Sequence, residues 1–234
     1  MTATSPATPS PLPTRRALLS GLGAAALLSL PGCAAYQRFS LVEAVRRMLE
    51  LSADRAFVRL LAPGGFWDNT LVRLDLPEVF GRRGTVLQAI LASPMVRNRL
   101  LRSLNDIAEE GARAAAPAVA DAVRTIGIRN AVALIEGNPS AATTYLRGEM
   151  GVRLIDLMVP QIGKGLRIAD DPVVGQAISA VAGIDVSGLA LDLAGKADNA
   201  IWSEIGRQEA DIRANPEATR DPVIIGVFGR VARR

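Results

Sequence analysis

The sequence predicts an all-α fold, a multi-helix bundle of about seven to nine helices that forms a single domain over residues 40–232. Hydrophobic residues make up 49% of the chain but aromatic residues only 4%, a composition more typical of helical bundles than of β-sandwiches. A polar residue followed by proline, a common helix start, occurs at Ser93-Pro94, Asn138-Pro139 and Asp171-Pro172. Apolar residues at three- and four-residue spacing follow these starts, which predicts helices with one buried face.

The first predicted helix starts at Ser40, which forms a capping box with Glu43 three residues later. Pro63 and the two glycines that follow it end this helix. Residues 66–77 are then expected to form a loop or a short extended segment. A short strand or β-hairpin is an alternative prediction for this segment, because polar and apolar residues alternate over Leu71–Leu76.

A long helix is predicted from Pro94 to about Ala116, where Pro117 kinks or restarts it. A short helix over residues 130–135 follows and ends at Gly137.

The central helix is predicted to start with Asn138 as its N-cap and Pro139 at its first position. Its buried stripe consists of apolar and aromatic residues at helical spacing, namely Ala142, Tyr145, Leu146 and Met150. Pro160 starts or kinks the next segment.

Three further helices are predicted in the carboxy-terminal third. Asp171-Pro172 opens a helix, and a loop follows over residues 183–188, which begin and end with glycine. A long helix then covers residues 189–213, and a last apolar helix covers residues 223–231.

The amino terminus is predicted to be a signal peptide over residues 1–32. Arg15 and Arg16 form its positive region, and an apolar run from Ala17 to Leu30 follows. This run is shorter than the roughly 20 residues that a membrane-spanning helix needs. The paired arginines resemble a twin-arginine export signal, although any two arginines also serve general secretion.

The end of this signal resembles a bacterial lipobox, because Leu30, Pro31 and Gly32 precede Cys33. Such precursors are cleaved before the cysteine, which carries the acyl chains, so residues 33–39 are expected to form an acylated tether. Two or three acyl chains anchor a protein firmly to a membrane. Ala34 is not the aspartate that retains lipoproteins at the inner membrane, which favours the outer membrane with the domain in the periplasm.

Composition excludes several classes of function. Outside residues 1–32 the chain has 25 basic and 23 acidic side chains. This excess of positive charge is too small for a nucleic-acid-binding surface. The chain has no histidine and one cysteine. We therefore expect no metal site, no cofactor and no intramolecular disulfide.

Several stretches together resemble the uncharacterised bacterial family catalogued as domain of unknown function 4197. The resemblance extends from about Ser40 to Gly229. It rests on Gly65-Phe66 with Leu74, Leu76 and Pro77; on Asn105, Glu109 and Ala115–Pro117; on Ala141–Arg147 and Pro160; and on Ala197–Trp202, Glu209, Ile212, Arg213, Asn215, Pro216 and Phe228. It implies a secreted or lipid-anchored helical protein and supplies no activity or catalytic residue.

Four polar residues are candidates for a polar cluster or ligand site: Asn105, Glu109, Tyr145 and Arg147. In a catalytic site, Tyr145 would act as an acid or base and Arg147 would hold an anion. In a structural role, Tyr145 packs in the core with its hydroxyl hydrogen-bonded, and Arg147 makes an ion pair. Both interpretations stay open.

The leading functional hypothesis is a non-catalytic binding or assembly module, anchored to the membrane by its acyl groups and facing an envelope protein partner. One alternative is a histidine-free hydrolase or transferase that acts on an envelope lipid or glycan through the four polar residues. Another is a carrier of lipid or a similar hydrophobic ligand, which requires a hollow bundle.

Overall fold

The computed structural model describes residues 31–77, 92–168 and 172–231, and every regular element in these ranges is helical. The predicted all-α fold is therefore confirmed. The helices, in chain order, are α1 Pro31–Leu60, α2 Pro94–Thr125, α3 Ala131–Glu136, α4 Ala141–Met150, α5 Arg153–Arg167, α6 Pro172–Ala214, a 3₁₀ turn Pro216–Thr219, and α7 Pro222–Val231.

Backbone contacts divide the chain into two units, Met1–Gln37 and Arg38–Arg234. Of the first unit only residues 31–37 are described, as the beginning of α1. The predicted signal residues Arg15, Arg16 and Leu30 lie outside the described residues, whereas Gly32 and Cys33 belong to α1.

The helix start predicted at Ser40 is wrong, since α1 begins at Pro31 and contains Ser40 in its interior. A capping box is a local signal, and a helix starts there only where the preceding residues disfavour helical structure. Residues 33–39 contain no proline or glycine and include two alanines, so the helix continues through them.

Three helices, α2, α5 and α6, pack against one another and form the centre of the domain, and α4 packs on α6. The α2–α5 contact depends on two glycines that allow close approach. A Cβ atom added at Gly111 of α2 would lie 2.8 Å from Cγ1 of Ile162. Likewise, a Cβ atom added at Gly165 of α5 would lie 3.0 Å from Cγ2 of Ile107 on α2.

Prolines and glycines that were expected to interrupt helices lie inside them. Pro117 is inside α2 and Pro160 inside α5, so neither residue starts a helix. The predicted loop over residues 183–188 is wrong as well, because α6 is continuous from Pro172 to Ala214. A glycine inside a helix costs only about 1 kcal/mol relative to alanine, which tertiary packing offsets.

Residues 66–77 form turns and irregular backbone, so the described chain has no strand or hairpin there. The predicted alternation nevertheless appears in the burial, since Val72 and Leu74 are buried whereas Leu71 and Arg73 are exposed. A strand needs a partner for its backbone groups, and here a side chain of α2 provides one for Leu74.

Candidate functional site

Asn105 and Glu109, one turn apart on α2, both contact the segment that follows α1. Asn105 is 1% exposed, and its Oδ1 accepts from Leu74 N at 2.8 Å while its Nδ2 donates to Leu74 O at 3.1 Å. Glu109 accepts a hydrogen bond from Arg113 Nη2 at 3.3 Å and lies close to the backbone of Gly65. Burial raises the pKa of Glu109, and the nearby Arg113 opposes this effect.

Tyr145 and Arg147 of α4 contact other parts of the chain. The Tyr145 hydroxyl donates to Gly127 O at 2.7 Å, which ties α4 to the segment after α2. The Arg147 Nη2 atom donates to Asp198 Oδ2 at 2.7 Å and to Asn199 Oδ1 at 2.6 Å, both on α6. Within the described ranges, no hydrogen bond joins any of the four predicted polar residues to another.

A polar network instead forms around Arg147 where α4 crosses α6. Asp198 is 4% exposed and receives a second hydrogen bond at 2.9 Å from the indole N–H of Trp202. Burial raises the pKa of Asp198, while the charge of Arg147 and the two hydrogen bonds partly offset that rise. Arg147 was a candidate site residue from the sequence, whereas its partners Asp198 and Asn199 were not.

The N-terminus of α4 is capped by a side chain of α6. Ser140 is the N-cap residue by position, but its side chain makes no capping bond. The fully buried Glu209 accepts from the N–H groups of Ala142 at 3.1 Å and Thr143 at 2.7 Å, and from the Thr143 hydroxyl at 2.6 Å. The cap predicted at Asn138 is therefore wrong, although its Oδ1 accepts from Ser140 N in the preceding turn. A carboxylate suits this position because helix N-termini carry partial positive charge.

Arg213, one turn after Glu209, links the same carboxylate to the end of α3. Its Nε and Nη2 donate to Glu209 Oε1 at 2.9 and 2.6 Å. Its remaining donors bind the carbonyl groups of Leu134 and Ile135, which belong to the last turn of α3, and its guanidinium lies 5.0 Å from the ring centre of Phe228. The pair thus joins α3, α4, α6 and α7.

A groove of about 430 Å³ lies between α4 and α6 beside this network, and we call it the α4–α6 groove. Its polar lining comprises hydroxyl, amide and guanidinium side chains, from Ser140, Thr143, Thr144, Arg147, Asn199, Ser203 and Arg207. A second groove of about 350 Å³, lined by residues 71–75, Lys196 and Ala200, shares Asn199 and Ser203 with it. The two grooves therefore form one surface along α6.

A second buried ionic cluster, centred on Glu204, adjoins the α4–α6 groove through Arg207. This fully buried side chain forms ion pairs with Arg207 and, at 3.7 Å, with Arg59 of α1, and it accepts from Gln208 Nε2 at 2.8 Å. Burial lowers the pKa of Arg207, as does the nearby Arg59. The Nε atom of Arg207 is buried without a hydrogen-bond partner.

Glu204, Glu209 and Arg207 were not predicted from the sequence as parts of a site. A usable signal was nonetheless present, because Glu209 falls on the inward stripe of α6 between Ile205 and Ile212. A charged residue on an apolar helix face needs a partner, since an unpaired buried charge is costly.

In the described part of the chain, no group of three or more histidine, cysteine, aspartate or glutamate side chains could hold a metal ion. Among the same residues, no helix combines the length and the hydropathy that a membrane span requires.

Comparison with known proteins identifies one family. A family model described as "Protein of unknown function (DUF4197)" matches residues 35–229. This match confirms the resemblance inferred from the sequence. No curated protein and no solved structure matches the chain.

Proposed function

The chain belongs to the DUF4197 family of proteins of unknown function, and we propose that it is a lipid-anchored, non-catalytic binding module of the bacterial envelope. In this proposal Cys33 carries the acyl chains, the outer membrane is the site of attachment, and the domain faces the periplasm. The ligand or partner protein binds in the α4–α6 groove.

The observation that carries the binding role is the composition of this groove. Its polar side chains come from α6 and from α4 with its N-cap residue Ser140, and the buried Glu209 fastens these two helices together. A groove whose walls are held by buried hydrogen bonds is preorganised, which reduces the entropic cost of binding.

The contacts of the predicted polar residues favour binding over catalysis. Asn105 is committed to the backbone of Leu74, and the Tyr145 hydroxyl to the carbonyl of Gly127. A general acid or base must instead reach the proton it transfers on a substrate. The non-catalytic hypothesis therefore has more support than the hydrolase or transferase, and no contact described above favours a lipid carrier.

The anchor is tested by expressing the full-length protein in a diderm bacterium with an alkyne-labelled fatty acid. We expect labelling of the wild-type protein in the outer-membrane fraction and none in Cys33→Ala. A protein that is never labelled, or one labelled equally in the variant, would refute the anchor.

The binding role is tested in the same cells with a photo-crosslinking residue. We place it at Ser203, an exposed residue in the groove, and as a control at Val58, which is 74% exposed on α1. An adduct of defined mass is expected at Ser203 and not at Val58. The same adducts at both positions, or none at either, would contradict binding in the groove.

A further inference from the structure

The acidic side chains that border the α4–α6 groove are turned away from solvent. The side chains of Asp198, Glu204 and Glu209 are 6%, 0% and 0% exposed. Each of them receives its hydrogen bonds or ion pairs from neighbouring helices or from its own. The negative charge of the region is therefore neutralised inside the domain.

The polar groups left at the surface of the groove are mainly donors. The Arg147 side chain is 43% exposed and uses only its Nη2 atom for Asp198 and Asn199. Its Nε and Nη1 make no hydrogen bond with the described residues. The Arg207 side chain is 32% exposed, although its Nε and Nη2 are buried.

These donors follow a row along α6. Lys196, Asn199, Ser203 and Arg207 succeed one another at three- or four-residue spacing, so they lie on one face of the helix. At 1.5 Å per residue the row is about 16 Å long. Arg147 of α4 lies next to the middle of this row, where it contacts Asn199.

Acidic residues limit this row at its ends. Asp192 and Asp211 occupy the next positions on the same face, and both are exposed. Asp75 lies in the second groove, beside Lys196. The stretch of surface with an excess of donors is thus confined to the part shared by Arg147, Ser203 and Arg207.

We propose that the α4–α6 groove binds an oxyanion, a phosphate or carboxylate group of the ligand, between the guanidinium groups of Arg147 and Arg207. Guanidinium groups attract both oxyanions through their charge and their N–H donors. Here the Nε and Nη1 donors of Arg147 remain available, and the amide of Asn199 and the hydroxyl of Ser203 add further donors. This inference rests on the proposed binding role of the groove, but it does not depend on the lipid anchor.

The test follows the Arg147 Nε–Hε resonance in ¹⁵N-arginine-labelled full-length protein in detergent. Inorganic phosphate is titrated in one series and acetate in another, with ionic strength held constant by sodium chloride. A saturable shift is expected in at least one series. Saturation by phosphate alone assigns a phosphate ligand, and saturation by acetate alone assigns a carboxylate.

The variants compare two residues of equal size at one exposed position. Ser203→Asp places a carboxylate in the donor row and is expected to weaken binding by about tenfold or more, because like charges repel. Ser203→Asn adds no charge and keeps an N–H donor at this position, so it should weaken binding clearly less than Ser203→Asp does. Neither change touches the buried ion pairs, so both variants should fold.

Two outcomes would overturn the proposal. One is a shift that grows linearly with phosphate and acetate and does not saturate. The other is equal binding by the Ser203→Asp and Ser203→Asn variants. Crosslinking at Ser203 without oxyanion binding would refute this inference and leave the proposed function intact, whereas absence of fatty-acid labelling would refute the anchor alone.

Discussion

Replacing Glu209 with glutamine should destabilise the domain more than any surface substitution. Glu209 accepts five hydrogen bonds, from the Ala142 and Thr143 N–H groups, the Thr143 hydroxyl, and Nε and Nη2 of Arg213. Glutamine keeps one oxygen acceptor, but its NH₂ group replaces the other carboxylate oxygen and faces donors that formerly bonded to that oxygen. The Glu209→Gln variant also leaves the guanidinium of Arg213, only 11% exposed, without a counter-charge.

The expected cost follows from this burial. Removing one partner of a buried ion pair costs about 3–5 kcal/mol of the free energy of unfolding. For a domain of this size each kcal/mol shifts the melting temperature by about 2–4 °C, so Tm should fall by about 6–20 °C. The change should be measured by far-UV circular dichroism in a Cys33→Ala background, which removes the predicted acylation site.

Two controls separate the cap from a general effect of charge removal. Glu110→Gln on α2 removes a carboxylate that is 67% exposed and should cost less than about 0.5 kcal/mol. Adding Arg213→Gln to Glu209→Gln removes the orphaned charge, so the double variant should cost less than the sum of the two single variants.

A local measurement tests the same reasoning independently. Hydrogen exchange of the Ala142 and Thr143 amides should accelerate in Glu209→Gln, since their hydrogen bonds to this carboxylate are altered. A variant that melts within about 2 °C of its parent would refute the claim that Glu209 holds α4 on α6.

Three further predictions concern other contacts of the fold. In urea unfolding, Arg147→Ala should cost about 1–3 kcal/mol more than Asp198→Asn, because it leaves a buried carboxylate unpaired whereas asparagine can still accept the indole hydrogen bond. Burial raises the pKa of Asp221, but hydrogen bonds from two backbone N–H groups and an arginine of α1 outweigh it and hold this pKa below its usual value. The stabilisation that ionised Asp221 provides is thus present above its unfolded-state pKa and is lost as pH falls through its folded-state pKa. The melting temperature should therefore fall less between about pH 7 and pH 3 in Asp221→Asn than in the wild-type protein. Gly111→Val should cost about 1–3 kcal/mol in the same urea assay by overpacking the α2–α5 contact, whereas Gly148→Val, where nothing lies within 4 Å of an added Cβ, should cost less.

Sequence patterns predicted burial better than they predicted helix ends. The alternation over residues 71–76 correctly separates the buried Val72 and Leu74 from their exposed neighbours. It does not distinguish a strand from an irregular segment, because both place alternate side chains inside. In this segment the side chain of Asn105 takes up both backbone groups of Leu74, which in a sheet would bond to a neighbouring strand.

Helix ends were mispredicted at two kinds of position. At one kind a residue distant in the chain determines where the helix starts, and at the other the expected helix-breaking residues do not interrupt the helix. Asn138 and Pro139 fit the local rules for a helix start, yet α4 begins at Ala141, where Glu209 can reach its free N–H groups. The glycines of residues 183–188 predicted a loop, but α6 continues through them. Local signals report preferences of about 1 kcal/mol, which tertiary contacts readily exceed.

The sequence by itself determined the helical class, the inward stripes of the helices and the family, because these depend on periodicity and composition along the chain. It also contains the signal-like segment that ends at Cys33, on which the proposed location depends. Only the tertiary structure decided which polar residues meet. Arg147 and Asp198 are far apart in the chain and pair because α4 crosses α6. Such pairing depends on helix packing in three dimensions, about which residue spacing within one helix carries no information.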